Sequence, residues 1–292
     1  MRLKKIIALT AVASLTILAV GCKKNKTVDL SLNVSGLENL GSDYVYEGWI
    51  IVEDEPISTG TFTVNDAGTM SATGFPVNQK ELEDASTFVL TIEPSSDADP
   101  APSSVHILAG DFSDDNATLT VSHASAIGTN FSTATGKYIL ATPTDGGSMT
   151  DENSGVWWLD PTAGPGAGLT LPTLPTGWIY EGWAVIDGTP VSTGTFSVNN
   201  EADNSAPYSE MTAGPAFPGE DFLINAPAGV TFPTDLAGQT VVISVEPMPD
   251  NSSNPFLLKP LVGGVPATAI DHTAYDMDNN ATASNPTGTV TR

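Results

Sequence analysis

Residues 46–65 read YEGWIIVEDEPISTGTFTVN, and residues 180–199 read YEGWAVIDGTPVSTGTFSVN. Twelve of the twenty positions are identical, without a gap, at a constant offset of 134 residues. Self-similarity of this kind marks a duplicated structural unit. The alternation inside the block says what the unit is made of. Tyr44, Tyr46, Gly48, Ile50 and Val52 share one face of an extended segment, and Val45, Glu47, Trp49 and Ile51 share the other. A second strand, STGTFTV over 58–64, returns across Glu53-Asp54-Glu55-Pro56, and the second copy makes the same hairpin across Asp187-Gly188-Thr189-Pro190. Asp-Gly supplies the positive φ of a tight turn. Glu53-Asp54-Glu55 is expected to take a looser one.

A further matched block confirms the duplication. Residues 88–110 (FVLTIEPSSDADPAPSSVHILAG) align with 241–263 (VVISVEPMPDNSSNPFLLKPLVG) at an offset of 153. Glu93-Pro94 matches Glu246-Pro247, Asp97 matches Asp250, and Pro102 matches Pro255. The change of offset places a 19-residue insertion within 200–240 of the second copy. A weaker block pairs His123 with His272, and the strand-like residues 136–140 with 288–292. Further short runs rich in Thr, Val, Ile and Phe occupy 88–92 and 117–121, punctuated by Gly, Pro, Asn and Asp. Beyond the N-terminal segment, only residues 78–84 (NQKELED) suit a helical turn. The expected fold class is therefore all-β, with two tandem antiparallel β-sandwich domains at 28–147 and 168–292. The Gly/Pro-rich stretch within 148–167 reads as their linker.

The 292 residues carry 34 acidic against 10 basic side chains, a net charge of −24. From residue 27 onward only Lys80, Lys137, Lys259 and Arg292 oppose all 34 acids. So acidic a body repels nucleic acid and anionic membrane, so neither is expected as a partner of the folded part. One Cys excludes a disulfide framework and a Cys-rich zinc or iron–sulfur centre. That Cys has a telling position. Arg2, Lys4 and Lys5 precede an apolar run over 6–20, and Ala19-Val20-Gly21-Cys22 closes it. The segment resembles a secretory signal ending in a bacterial lipoprotein lipobox, although Ala19 stands where Leu is usual. The resemblance implies a signal peptide over 1–21 and a mature N-terminus at Cys22 carrying acyl chains such as palmitate. A basic tether over 22–27 follows, with Lys23, Lys24 and Lys26 against anionic headgroups. The expected location is the cell envelope, lipid-anchored, on the periplasmic or outer-membrane face.

The repeat also resembles a known family. Tyr-x-x-Trp, a hydrophobic strand, a turn, Pro and a small-Gly-x-Phe strand are similar to the extracytoplasmic domain of anti-sigma-K factor proteins. The later Glu-Pro strand, Pro-containing loop and Leu-x-Gly continue that likeness, in order, twice. In that family a cytoplasmic sigma-binding domain and a membrane helix precede the β domain. Here five residues precede the apolar run, so no direct sigma-factor contact is expected. The resemblance implies an outer all-β sensory or interaction domain, duplicated and non-catalytic, whose partner is an envelope protein. A glycan- or surface-binding module, assisted by calcium, is the competing reading.

The candidate sites follow from side-chain chemistry. Trp49 and Trp183 are expected to fill the space between sheets. Trp157, Trp158 and Trp178 are candidates for packing at the domain junction or for stacking on a ligand. Tyr208 and Phe217, in the insertion, are candidates for contact with a partner, unless that segment is a lid over its own domain. Asp111, Asp114, Asp115, Asp276 and Asp278 form oxygen-rich clusters of the calcium-ligating type, though neither cluster has EF-hand spacing. Glu47 and Glu181 share a strand face with Trp49 and Trp183, so burial of that face would demand hydrogen-bond partners or raise their pKa. Glu93 and Glu246, before Pro at strand ends, are expected to close turns. No nucleophile elbow, phosphate-binding loop, dinucleotide fingerprint or HExxH stands in the sequence, and no enzyme activity is expected.

Overall fold

The computed structural model describes residues 26–292, apart from Asp97, Met211 and Asn251. The signal segment and Cys22 lie outside the described residues. No helix among these is long and apolar enough to cross a membrane. In chain order the elements are β1 (Thr27–Ser35), β2 (Tyr44–Val52), β3 (Glu55–Phe62), β4 (Gly74–Asn78), α1 (Gln79–Asp84), β5 (Thr87–Pro94), β6 (His106–Asp111), β7 (Asn116–Thr120) and β8 (Thr135–Leu140). A single 3-10 turn at Glu152–Ser154 leads into β9 (Gly155–Trp157), β10 (Leu159–Asp160), β11 (Gly166–Ala167), β12 (Leu169–Thr170), β13 (Trp178–Ile186) and β14 (Thr189–Phe196). The chain ends with β15 (Gly219–Asp221), β16 (Thr240–Pro247), β17 (Leu261–Gly264), β18 (Tyr275–Asn279), α2 (Ala281–Ser284) and β19 (Thr287–Thr291).

The protein is all-β and antiparallel, in two units. One sheet runs β3-β2-β5-β6-β7-β19-β1-β4, and the other runs β14-β13-β16-β17-β18-β8-β9-β15 with β12 also on β8. Each sheet curls until its edge strands approach, β3 toward β4 and β14 toward β15. The result is a near-barrel from one curled sheet, where a sandwich of two separate sheets was expected. Closure of this kind protects edges that would otherwise pair with other chains.

The hairpins at the heart of each copy are superimposable in register. Val52 faces Glu55 and Ile186 faces Thr189, so both turns have two residues. Glu53 and Asp54 have φ of 51° and 68°, and Asp187 and Gly188 have 50° and 85°. The Glu53-Asp54 turn is thus as tight as its Asp-Gly counterpart, not looser, because the closing strand pairs hold it there. Both hairpins also carry a register shift at the same step, Gly48/Trp49 and Gly182/Trp183. α1 forms where a helical turn was expected, with the Asn78 side chain accepting from the Lys80 and Glu81 N–H groups.

The exchange of strands between the copies is the main departure from the sequence reading. β8, the last strand of the first copy, lies in the second sheet between β18 and β9, with Tyr138 opposite Tyr275 and Ile139 opposite Trp157. β19, its counterpart in the second copy, lies in the first sheet between β7 and β1, with Val290 opposite both Ala117 and Leu32. The division at 28–147 and 168–292 therefore does not coincide with the two sheets. Residues 148–167 are not a free linker either, because they contain β9, β10 and β11. Glycines in this stretch and just after it mark tight packing: a Cβ on Gly155 would run into the Ala141 carbonyl, and one on Gly168 into the Lys137 carbonyl and Leu159. A continuous apolar core joins the two units, from Tyr46, Phe62 and Phe88 through Leu108 to Tyr138, Trp158 and Tyr180.

Candidate functional site

Between the units a cleft of about 290 Å³ opens, lined by Glu38, Leu40, Tyr44 and Ile92 of the first and by Glu246, Met248, Asp250 and Phe256 of the second. Trp178 helps to set its geometry. Its indole N–H donates to the His106 carbonyl at 3.2 Å, and its ring lies 6.0 Å from that of Phe256. Trp178 is buried, so it packs at the junction.

Acidic groups line this cleft and stand beside it. Glu246 is fully buried at the end of β16, where the Phe256 N–H donates to both of its oxygens at 2.9 and 3.2 Å and the Ser244 hydroxyl donates to one. Ser244 in turn accepts the Trp183 indole N–H at 2.8 Å. Burial pushes the Glu246 carboxyl up to about 7, with Asp250 and Glu38 adding to the effect and the hydrogen bonds opposing it. Glu38 is likewise pushed up to about 7 by burial, against the attraction of Lys259 and the Leu257 N–H. Burial also lowers the Lys259 ammonium, although both carboxylates pull it the other way. Glu181, on β13, receives the Ser192 hydroxyl; burial raises its pKa, and Glu246 and Asp250 add to the rise.

The first copy carries the same network in outline. The Ser58 hydroxyl donates to Glu47, the Ser103 N–H donates to Glu93 at 2.9 and 3.1 Å, and the Trp49 indole donates to Thr91 at 2.9 Å. Glu93 is buried, and that burial raises its pKa. Glu93 and Glu246 both close the loop that follows their strand, through a backbone N–H ten residues on. Trp49 is buried with Val89, Ala109 and Ala126 on the face of the sheet away from the main core. It does not fill the space inside the curl, which Tyr46 and Ile50 occupy.

A second cleft, of about 350 Å³, lies over Trp157 and is bordered by Thr144, Asp203, Ser209 and Phe217. The Trp157 indole donates to Asp221 at 2.7 Å, and the Thr144 N–H donates to the same carboxylate at 2.8 Å. Glu220 takes the Ser209 hydroxyl and Asp203 takes the Gly219 N–H at 2.8 Å. Burial pushes both Glu220 and Asp203 up to about 7. The insertion is thereby folded onto its own unit, since β15 pairs with β9.

The aromatic candidates are largely enclosed. Trp157, Trp158 and Trp178 are 4%, 0% and 5% exposed, which leaves no stacking platform among them. Phe217 is half-buried against the Trp157 cluster, and Tyr208 packs 5.4 Å from Phe232 and 6.1 Å from Phe222. The five aspartates proposed for calcium are not brought together. Asp111 bonds Thr87 and His123, Asp276 pairs with Lys137 at 2.7 Å, and Asp114, Asp115 and Asp278 are exposed loop or strand positions. The physical reason is that each serves its own turn or cross-strand pair. Among the described residues one group of three acids could hold a metal, and it is Glu181, Glu246 and Asp250. Glu38, Lys259, Asp203, Glu220 and Asp221 went unmarked in the sequence. Glu181, Glu246 and Asp250 did carry a signal there, as the matches of Glu47, Glu93 and Asp97.

Fold and cleft together define an all-β protein of two antiparallel units that exchange strands, with a cleft between them. The family model described as anti-sigma-K factor rskA, C-terminal, matches residues 23–107. That span runs through β1–β5 into β6, so most of the first sequence copy is similar to that domain. No curated protein and no solved structure matches the chain.

Proposed function

We propose that this chain is a non-catalytic, lipid-anchored module of the cell envelope, held to membrane lipid through acylated Cys22, that binds an envelope protein or senses a signal through its anti-sigma-K-like units. The observation that carries the reading is the cleft between the units, which draws Leu40, Tyr44 and Ile92 from one and Met248 and Phe256 from the other. A surface assembled from both copies makes their relative position a readable quantity, which is what a sensory domain needs. Apolar walls with a few buried carboxylates suit a partner segment carrying apolar and basic side chains. The acidic surface disfavours nucleic acid, and no sigma-factor contact is assigned to it.

Two measurements in cells that produce the protein test this reading. Metabolic labelling with an alkyne palmitate analogue is expected to mark the wild type and to fail for Cys22→Ala. Crosslinking and recovery of the tagged chain is expected to yield one envelope protein in near-equal amount. Recovery of bulk envelope proteins in no fixed ratio would overturn the interaction reading.

A further inference from the structure

Glu181, Glu246 and Asp250 bring one carboxylate oxygen each to within 4.8 Å of one another. Two oxygens on opposite sides of a calcium ion, each about 2.4 Å from it, stand about 4.8 Å apart. The cluster therefore has the span of a hard-cation site. Its burial sets it apart from the solvated acidic loops elsewhere in this chain. Glu181 is 5% exposed and Glu246 is 0% exposed, while Asp250 is half-buried at the mouth of the cleft between the units.

A second observation points to a ligand. Oε2 of Glu181 is buried with no hydrogen-bond partner, and the Asp250 carboxyl stands within hydrogen-bonding reach of Glu181. A buried carboxylate oxygen without a donor, beside another carboxylate, is costly unless something positive lies between them. Glu38 is a fourth acid in this neighbourhood, and Lys259 is the base that its charge and that of Glu246 reach. Two positive charges bring that group close to balance.

The cluster is also pre-organised. Ser192 holds Glu181 and is itself fixed by the Gly194 N–H at 3.0 Å. Trp183 holds Ser244, which holds Glu246, and the Ser252 N–H holds Asp250 at 2.8 Å. Outer donors of this kind orient metal ligands and tune affinity. We propose that Glu181, Glu246 and Asp250 ligate one divalent cation of the calcium class, completed by water from the cleft. The sequence of the first copy carries the same three acids at matched positions, Glu47, Glu93 and Asp97. There Glu47 is only half-buried, so the enclosed site belongs to the second copy.

The test is titration calorimetry of the chelator-treated full chain in detergent micelles with calcium, and separately with magnesium. Terbium emission excited through the indoles provides a second readout. The expected result is one enclosed calcium site, with magnesium at least about tenfold weaker because its smaller octahedral shell does not span the cluster. Asp250→Asn should weaken calcium binding by about a hundredfold or more, and Ser192→Ala by about tenfold. Glu47→Gln should leave this site unchanged. Asp250 is at the cleft mouth, so melting of Asp250→Asn without calcium should match wild type and separate lost binding from lost folding. Absence of calcium binding by the folded wild type at millimolar concentration would overturn the proposal. So would equal affinity for magnesium, or unchanged calcium affinity in Asp250→Asn. None of these outcomes depends on whether an envelope partner exists.

Discussion

Removal of residues 287–292 should unfold the first unit, although these residues follow the second copy in sequence. β19 pairs with β1 over five residue pairs and with β7 over five more. An antiparallel ladder averages about one backbone bond per pair. Roughly ten bonds at about 0.5–1.5 kcal/mol net each are therefore at stake. Val290 is fully buried and contributes about 2 kcal/mol more. Arg292 adds charge-assisted bonds from Nη1 to the Leu82, Glu83 and Ala85 carbonyls at 2.9, 3.2 and 3.0 Å, and from Nε to the Asp114 backbone carbonyl at 3.0 Å. Its guanidinium also lies 4.6 Å from the Phe112 ring centroid. The total is on the order of 10 kcal/mol, as large as the whole stability of a typical domain. Hydrogen exchange resolved by peptide is the assay. In the truncated chain the amides of β1 and β7 should lose protection, while those of β16 retain more of theirs. Undiminished protection of β1 and β7 would refute the strand exchange and the reasoning built on it.

Other consequences are more local. Gly168→Ala should destabilise the protein by about 1–3 kcal/mol in urea unfolding, because its Cβ meets backbone atoms on two sides; a flexible linker at this position would tolerate it. Trp183→Phe removes the buried indole bond to Ser244 and should cost about 1–3 kcal/mol, read from the same transition. Glu220 titrates near 4.5 when exposed but near 7 in the fold, so both states hold its proton below the lower value. As pH rises from there the unfolded chain ionises first, and stability is lost progressively until the folded group ionises too. The full effect is about 3 kcal/mol. Urea midpoints at pH 5 and pH 8 should therefore differ less in Glu220→Gln than in wild type, with Asp203, Glu38, Glu181 and Glu246 supplying a residual slope.

The sequence reveals some of this fold and conceals the rest for physical reasons. The β2–β3 and β13–β14 hairpins are legible because alternation, a turn and a closing Gly-x-Phe strand lie within twenty contiguous residues. α1 is legible because Asn78 caps it. The exchange is not legible, because TGKYIL of β8 and TGTVT of β19 carry similar patterns and either would satisfy either sheet. Which sheet takes them depends on the path of the connections at 121–134 and 280–286, which cross between the sheets and show no strand alternation. Gly155 and Gly168 mislead for a related reason, since close backbone contact and flexibility both call for glycine. In the site, the repeat exposes Glu181, Glu246 and Asp250 as matched acids. It says nothing of their convergence, which a loop between β16 and β17 brings about. Glu220 and Asp221 have no counterpart in the first copy, so their burial could be seen only in three dimensions.

The cleft between the units is the centre of this account, and site-specific photo-crosslinking tests it most directly. A photoreactive side chain at Asn39, exposed on the cleft rim, should capture one envelope protein in living cells, whereas the same group at Asp54, on the β2–β3 turn, should not. Adducts of equal yield and identity from both positions, or none from Asn39, would contradict the claim that the two copies are joined to present a shared binding surface.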